Sequence, residues 1–190
     1  LAVSTDMLVA GTHFFADAEP RKLGHKALAV NLSDLAAMGA VPRWALLALA
    51  LPKADSAWLR SFAAGLFALA RAHRVDLVGG DTTRGPLNLC VTVIGEVSPG
   101  KALRRDAARP GDDVWVSGVL GDAALGVAHR AGRTRLPRAS AARCIRRLER
   151  PSPRVALGIA LAGIAHAAID VSDGLGADAS KVFVLVYNLN

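Results

Sequence analysis

Apolar residues recur along this chain with two periods, and the switches between them lay out its elements. Leu1 to Thr5 reads as a short strand running into a polar loop at Asp6, and Gly11 marks a turn within the mixed stretch from Leu8 to Phe15. From Arg21 to Met38 the period becomes helical. Leu28, Leu32 and Leu35 repeat at that spacing, Pro20 opens the stretch, and Gly39 is placed to stop it. Arg43 to Leu51, ahead of Pro52, predicts a buried strand. Asp55 is placed to cap a second helix that turns Trp58, Phe62, Leu66 and Leu69 toward a core and ends near His73-Arg74. Asp76 to Val78 predicts a short strand, Gly79 to Gly85 a glycine-rich turn, and Leu87 to Val97 a long alternating strand.

Beyond the turn at Pro110-Gly111-Asp112, a strand is predicted over Asp113 to Ser117 and a turn over Gly118 to Gly121. Helices follow over Ala123 to Arg130 and Ala139 to Glu149. Arg150 to Pro153 breaks the helical run. Ser152 as N-cap and Pro153 at the first helical position predict a third helix there. The apolar stretch from Val155 to Ile169 is shorter than the roughly 20 residues a membrane span needs, so a buried helix is expected. Intermixed strands and helices predict an α/β (α+β) fold.

Composition narrows the class. With 52% hydrophobic residues and a mean hydropathy of +0.33, a chain of 190 residues can bury a real core. The net charge of +7 raises nucleic acid as a partner. The arginines gather between Arg130 and Arg154 with few aromatics for base stacking, so a solvated helical surface is expected and no nucleic-acid partner. Cys90 and Cys144 stand far apart, outside any metal-type spacing, as buried thiols of a reducing cytoplasm do. The start shows no charged segment ahead of an apolar run, so no signal peptide is expected. Leu1 falls mid-strand, and the end, from Lys181 to Tyr187, is apolar and abrupt; both are read as truncations of a longer protein.

The candidate chemistry is acidic. Aspartates sit beside glycine, serine or threonine at Ser4-Thr5-Asp6, Ser33-Asp34, Gly80-Asp81-Thr82-Thr83 and Asp170-Val171-Ser172-Asp173-Gly174. Mg²⁺ takes oxygen ligands and is commonly held by a few carboxylates together with substrate phosphates. Each aspartate has a plainer role open to it, stabilising a turn or lying exposed on a helix. Gly79 to Gly85 suits either an ordinary hairpin turn or a backbone cradle for an anion, with Arg84 as a further donor. No GxxxxGK[ST] loop and no GxSxG elbow occur.

Several segments together resemble the thiamine-monophosphate kinase family: Ser4 to Phe14 (STDMLVAGTHF), Lys26 to Ala40 (KALAVNLSDLAAMGA), Gly79 to Pro86 (GGDTTRGP) and Ile169 to Leu175 (IDVSDGL). The likeness runs to about Ala179, and the tail from Lys181 departs from it. The resemblance implies an aminoimidazole ribonucleotide synthetase-like fold. Residues 1–110 would form an ATP- and Mg²⁺-binding domain, and residues 111–190 the start of a second α/β domain. It implies Mg²⁺-assisted transfer of phosphate from ATP to thiamine monophosphate. Ser4, Thr5, Asp6, Asp34, Asp81, Asp170 and Asp173 would hold metal; Gly80, Asp81, Arg105 and Ser172 would hold ATP; and His13 would contact the thiamine phosphate. It also implies a homodimer formed through the N-terminal domain. A noncatalytic nucleotide-binding fragment, or a related ATP-dependent enzyme with another substrate, are the alternatives.

Overall fold

The computed structural model describes residues 1–187; residues 188–190, the end of the divergent tail, lie outside it. Four strands, β1 (Ala2–Val9), β2 (Val41–Leu51), β3 (Asp76–Arg84) and β4 (Asn88–Glu96), form one mixed sheet in the order β1-β4-β2-β3. β4 runs antiparallel to both β1 and β2, and β3 runs parallel to β2. Helices α1 (Pro20–Ala37) and α2 (Ser56–His73) connect β1 to β2 and β2 to β3.

Alternation along the strands decides which face these helices cover. Ala2 and Leu8 of β1, Leu89, Val91 and Val93 of β4, and Ala45 and Leu49 of β2 are buried. They meet Leu28, Leu32 and Leu35 of α1, with Phe62 and Leu66 of α2 behind. The two helices approach very closely. A Cβ on Gly65 would lie 1.8 Å from the Arg21 carbonyl oxygen, and one on Gly24 would lie 2.1 Å from that of Phe62. The other face of the sheet is open: Val3 and Met7 are exposed and Trp44 is half-buried.

Local chemistry ends the helices where the sequence indicates. Pro20 starts α1, and Gly39 leaves it at φ +68°. The Asp55 carboxylate accepts hydrogen bonds from the amides of Ala57 and Trp58, both at 3.0 Å. Trp58 stacks on Phe62 with ring centroids 5.1 Å apart.

Several expectations need correction. Asp6 is not in a loop, because β1 continues to Val9 in unbroken register with β4. Gly79 to Arg84 is not a turn but most of β3. Gly80 has φ +143°, and a Cβ there would lie 1.9 Å from the Leu47 carbonyl oxygen, so the glycine lets an edge strand lie flush on β2. Asp113 to Ser117 forms no strand. Among the described residues nothing pairs with it, and Val114 and Trp115 are 64% and 88% exposed.

After a 3-10 turn at Arg105–Ala107 come α3 (Asp122–Arg130), α4 (Arg138–Glu149), α5 (Val155–Leu161) and α6 (Leu175–Tyr187). Arg154, not Ser152, stands at the N-cap of α5, and no side chain caps it. The helix stops at Leu161 rather than Ile169 and buries only Val155 and Gly158. α3 and α4 pack on each other around Ala141 and Cys144. The hairpin they make is fastened to α1 by charge. Lys22 reaches Glu149 at 2.9 Å, and Arg130 bridges Glu149 at 3.1 Å and Asp17 at 2.7 Å. Arg133, Arg135, Arg138, Arg143, Arg146, Arg147 and Arg150 are exposed. No helix among the described residues is long and apolar enough to cross a membrane.

Candidate functional site

Three of the aspartates come together at one end of α1. Ser4, on the helix-facing side of β1, donates its hydroxyl to Asp34 Oδ2 at 2.5 Å. Two residues on, Asp6 faces the same way, and its amide donates to Asn31 Oδ1 at 3.1 Å. Asn31 is fully buried one turn before Asp34, and its other amide atom donates to the Ala27 carbonyl at 2.9 Å. The polar residue on the apolar side of α1 thus fixes the strand that carries Asp6 against the helix that carries Asp34.

Asp170 arrives from the far end of the chain. α5 lies so tightly on the end of α1 that a Cβ on Gly158 would stand 1.9 Å from the Ala36 carbonyl oxygen. Leu103 donates its amide to the Met38 carbonyl at 3.1 Å beside that contact. Burial, and then the negative charge of Asp34, push the Asp170 carboxyl up to about 6, with Asp178 and Asp6 adding to the rise and Ser33 opposing it. Asp6 is raised by burial first and by Asp34 second, while His13 works against the rise. Asp6, Asp34 and Asp170 therefore lie near enough to repel one another.

The other predicted residues are placed differently. The Thr5 side chain points to the open face, where its hydroxyl meets that of Thr92 at 2.8 Å. Asp173 is turned to Lys181, 2.8 Å away. Gly80 and Asp81 lie on β3, at the opposite edge of the sheet from β1. The row Asp6, Val91, Leu47, Gly80 crosses all the strands, three spacings or about 14 Å. Asp81 is exposed and accepts the Thr82 amide at 2.8 Å. Arg105 is exposed in the 3-10 turn, which rests against α6, while its neighbour Arg104 pairs with Asp106. Among the described residues no three acidic, histidine or cysteine side chains close on one point as a ready-made metal cage.

His13 sits in the loop between β1 and α1. Its Nδ1 accepts the Val9 amide at 3.0 Å, which leaves the proton of the neutral ring on Nε2. Lys26 donates to the His13 carbonyl at 3.0 Å. Burial lowers the Lys26 pKa, against the pull of Glu149. The loop walls a cavity of about 150 Å³ lined by His13, Phe15, Leu23, Lys26, Arg130 and Leu148. Arg130 lies over the Phe15 ring, 4.3 Å from its centroid.

Sequence reasoning missed Asn31, Lys26 and Asp178. Asn31 carried a signal, a polar side chain on the buried side of α1 next to Leu28, Leu32 and Leu35. Asp178, 1% exposed in the first turn of α6, carried almost none, because its partners are backbone amides. Burial would raise its pKa, but the Lys181 ammonium and the amides of Asp173 and Ser172 outweigh that and hold it low.

A four-stranded mixed sheet backed by two closely packed helices, with acidic residues where β1 meets α1, defines the class. The chain belongs to the AIR synthase related family, whose N-terminal domain matches residues 1–97. Within that family it is similar to thiamine-monophosphate kinases. It is 50% identical to the Salmonella typhimurium kinase over 183 residues, which are 96% of this chain and 56% of that one. The chain thus spans little more than half the length of that relative. The crystal structure of the Stenotrophomonas maltophilia kinase superimposes with a TM-score of 0.93 at 50% identity, covering 98% of this chain and 60% of that one. AaThiL complexed with AMPPCP and TMP superimposes with a TM-score of 0.88 at 33% identity, covering 95% and 58%.

Proposed function

We propose that the chain supplies the nucleotide- and cation-binding part of an enzyme that phosphorylates thiamine monophosphate to thiamine diphosphate with ATP. One observation carries this reading: β1 and α1 set Asp6 beside Asp34, with Ser4 bonded to Asp34 and the Asp6 amide held by Asn31, and Asp170, from a distant part of the sequence, feels the charge of both. The likeness to thiamine-monophosphate kinases over 96% of the chain, one solved with AMPPCP and TMP, supports the substrates.

The acidic residues fit Mg²⁺ in kind. They are hard oxygen donors, the kind Mg²⁺ takes together with waters and phosphate oxygens. Asp6, Asp34 and Asp170 would hold the ions, with Ser4 orienting Asp34; Thr5, Asp81 and Asp173 complete the proposed set. When bound, Mg²⁺ neutralises phosphate charge and helps keep donor and acceptor in line. Gly80, Asp81, Arg105 and Ser172 bind ATP in this reading, and the exposed Arg105 guanidinium takes phosphate oxygens. His13 offers Nε2–H to the thiamine phosphate, its ring held by Val9. The acceptor is a phosphate oxygen, already a nucleophile, so no strong general base is required.

The reading includes a homodimer, with a second copy packed on the open face of the sheet. That packing would cover Val3 and Met7. A reducing cytoplasm suits the two free thiols.

The test is thiamine diphosphate formation by the chain with ATP, Mg²⁺ and thiamine monophosphate. Product that disappears in Asp81→Asn and falls sharply in Asp34→Asn supports the reading. Full activity in Asp34→Asn defeats the metal role. Binding of ATP without turnover assigns the molecule to the noncatalytic nucleotide-binding alternative. Turnover of another phosphate acceptor in place of thiamine monophosphate assigns it to the related-enzyme alternative.

A further inference from the structure

Asp178 is buried, charged and unused by the mechanism above. Its Oδ2 accepts three consecutive backbone amides, from Ser172 at 2.9 Å, Asp173 at 2.9 Å and Gly174 at 3.1 Å. Its Oδ1 takes the Lys181 ammonium at 2.9 Å. Its own amide closes the first helical turn on the Gly174 carbonyl at 3.0 Å. Three amides turned inward onto one oxygen fix the backbone from Ser172 to Gly174, with Asp170 at the near end of that segment.

That anchor has a physical purpose. Asp170 takes a hydrogen bond from Ser33 beside Asp34, so negative charge gathers where its segment meets α1 and opposes that placement. A loop free to move would have to be ordered when a cation binds, at a cost in affinity. Hydrogen bonds from amides to a buried charged oxygen are among the stronger kinds, and they set the loop beforehand. We propose that Asp178 is a positioning residue, an internal anion that holds the Ser172–Gly174 backbone so that Asp170 stays beside Asp34 before any cation arrives. The proposal rests on the cation-binding reading above.

The test compares Asp178→Asn with Asp178→Glu in the full chain. Asn keeps the shape and loses the charge; Glu keeps the charge and lengthens the arm. Amide exchange at Ser172, Asp173 and Gly174 reports the anchor directly, and Mn²⁺ titration reports its consequence. Asp178→Asn is expected to speed exchange at those amides and to weaken Mn²⁺ binding about 10-fold or more, as removal of a ligand-orienting group does. Asp178→Glu is expected to recover part of both. If Asn instead matches the parent and Glu is the worse variant, Asp178 is a packing residue and the proposal falls. It also falls if Mn²⁺ binds the parent and Asp178→Asn equally well. A parent chain that binds no Mn²⁺ overturns the cation reading, and with it the purpose assigned to Asp178. Should Asp178→Asn fail to fold, the Glu variant decides, since exchange protection and affinity kept at least in part support the charge and a loss of both refutes it.

Discussion

Residues 1–97 bury a continuous apolar core between a sheet and two closely packed helices, whereas the described residues beyond them add only Val155 to that core. The second region is fastened by other means. The α3–α4 hairpin meets α1 through Lys22, Arg130 and Glu149, and the Asp170 segment is held by α5 packing and by Asp178. The difference shows how labour is divided in the proposed site. The first region presents Ser4, Asp6 and Asp34 on a strand and a helix, and the lightly packed region brings Asp170 toward them. Where the apolar core does not reach, the Asp178 hydrogen bonds take over the work of holding the Asp170 segment in place.

Three substitutions sharpen this contrast. Leu32 is fully buried where α1 meets the sheet, so Leu32→Ala removes core methyl groups and should cost about 3 kcal/mol in urea unfolding of the whole chain. A loss under about 1 kcal/mol would mean that the first region is not one packed unit. Asp170 lies at the junction. Its folded carboxyl is raised to about 6 from 3.8, so the unfolded chain gives up the proton first. Stability therefore falls as pH rises from about 4 to about 6 and stays reduced above. Asp170→Asn should remove that fall, leaving the variant more stable than the parent near pH 7 by about 1 kcal/mol and equal to it below about pH 4. Denaturant midpoints at the two pH values check this. Glu149→Gln weakens the links from α4 to Lys22 and Arg130, with a global cost below about 1 kcal/mol. Its clearer mark should be faster amide exchange in α3 and α4, with β2 and β4 unchanged.

The same boundary separates what the sequence made legible from what it did not. In the first region local chemistry and tertiary packing agree. Pro20 and Gly39 bracket α1, Asp55 caps α2, and the strand periods place Leu89, Val91 and Val93 inward. The exceptions are β1, which runs on past Asp6 because β4 pairs with it, and β3, where paired glycines read as a turn because their role, a close approach to Leu47, depends on a strand distant in sequence. Beyond residue 97, Asp113 to Ser117 has a strand's composition and no partner, and α5 lacks the cap expected of it. Of the site, the aspartates were legible as residue types. The meeting of Asp6, Asp34 and Asp170 was carried by the resemblance alone, since it depends on Asn31 and on the α5 contact. The placement of Gly80 and Asp81 at the far edge depends on sheet order, which no local pattern encodes.

The chain's three tryptophans happen to fall one to each environment. Trp58 is stacked on Phe62 beside the core, Trp44 lies half-buried on the open sheet face, and Trp115 stands in water. Their fluorescence separates events that a single probe would blend. Opening of the core shifts Trp58 to longer wavelength, a second copy settling on the sheet shifts Trp44 to shorter wavelength, and Trp115 stays accessible to a soluble quencher until something covers the segment around it.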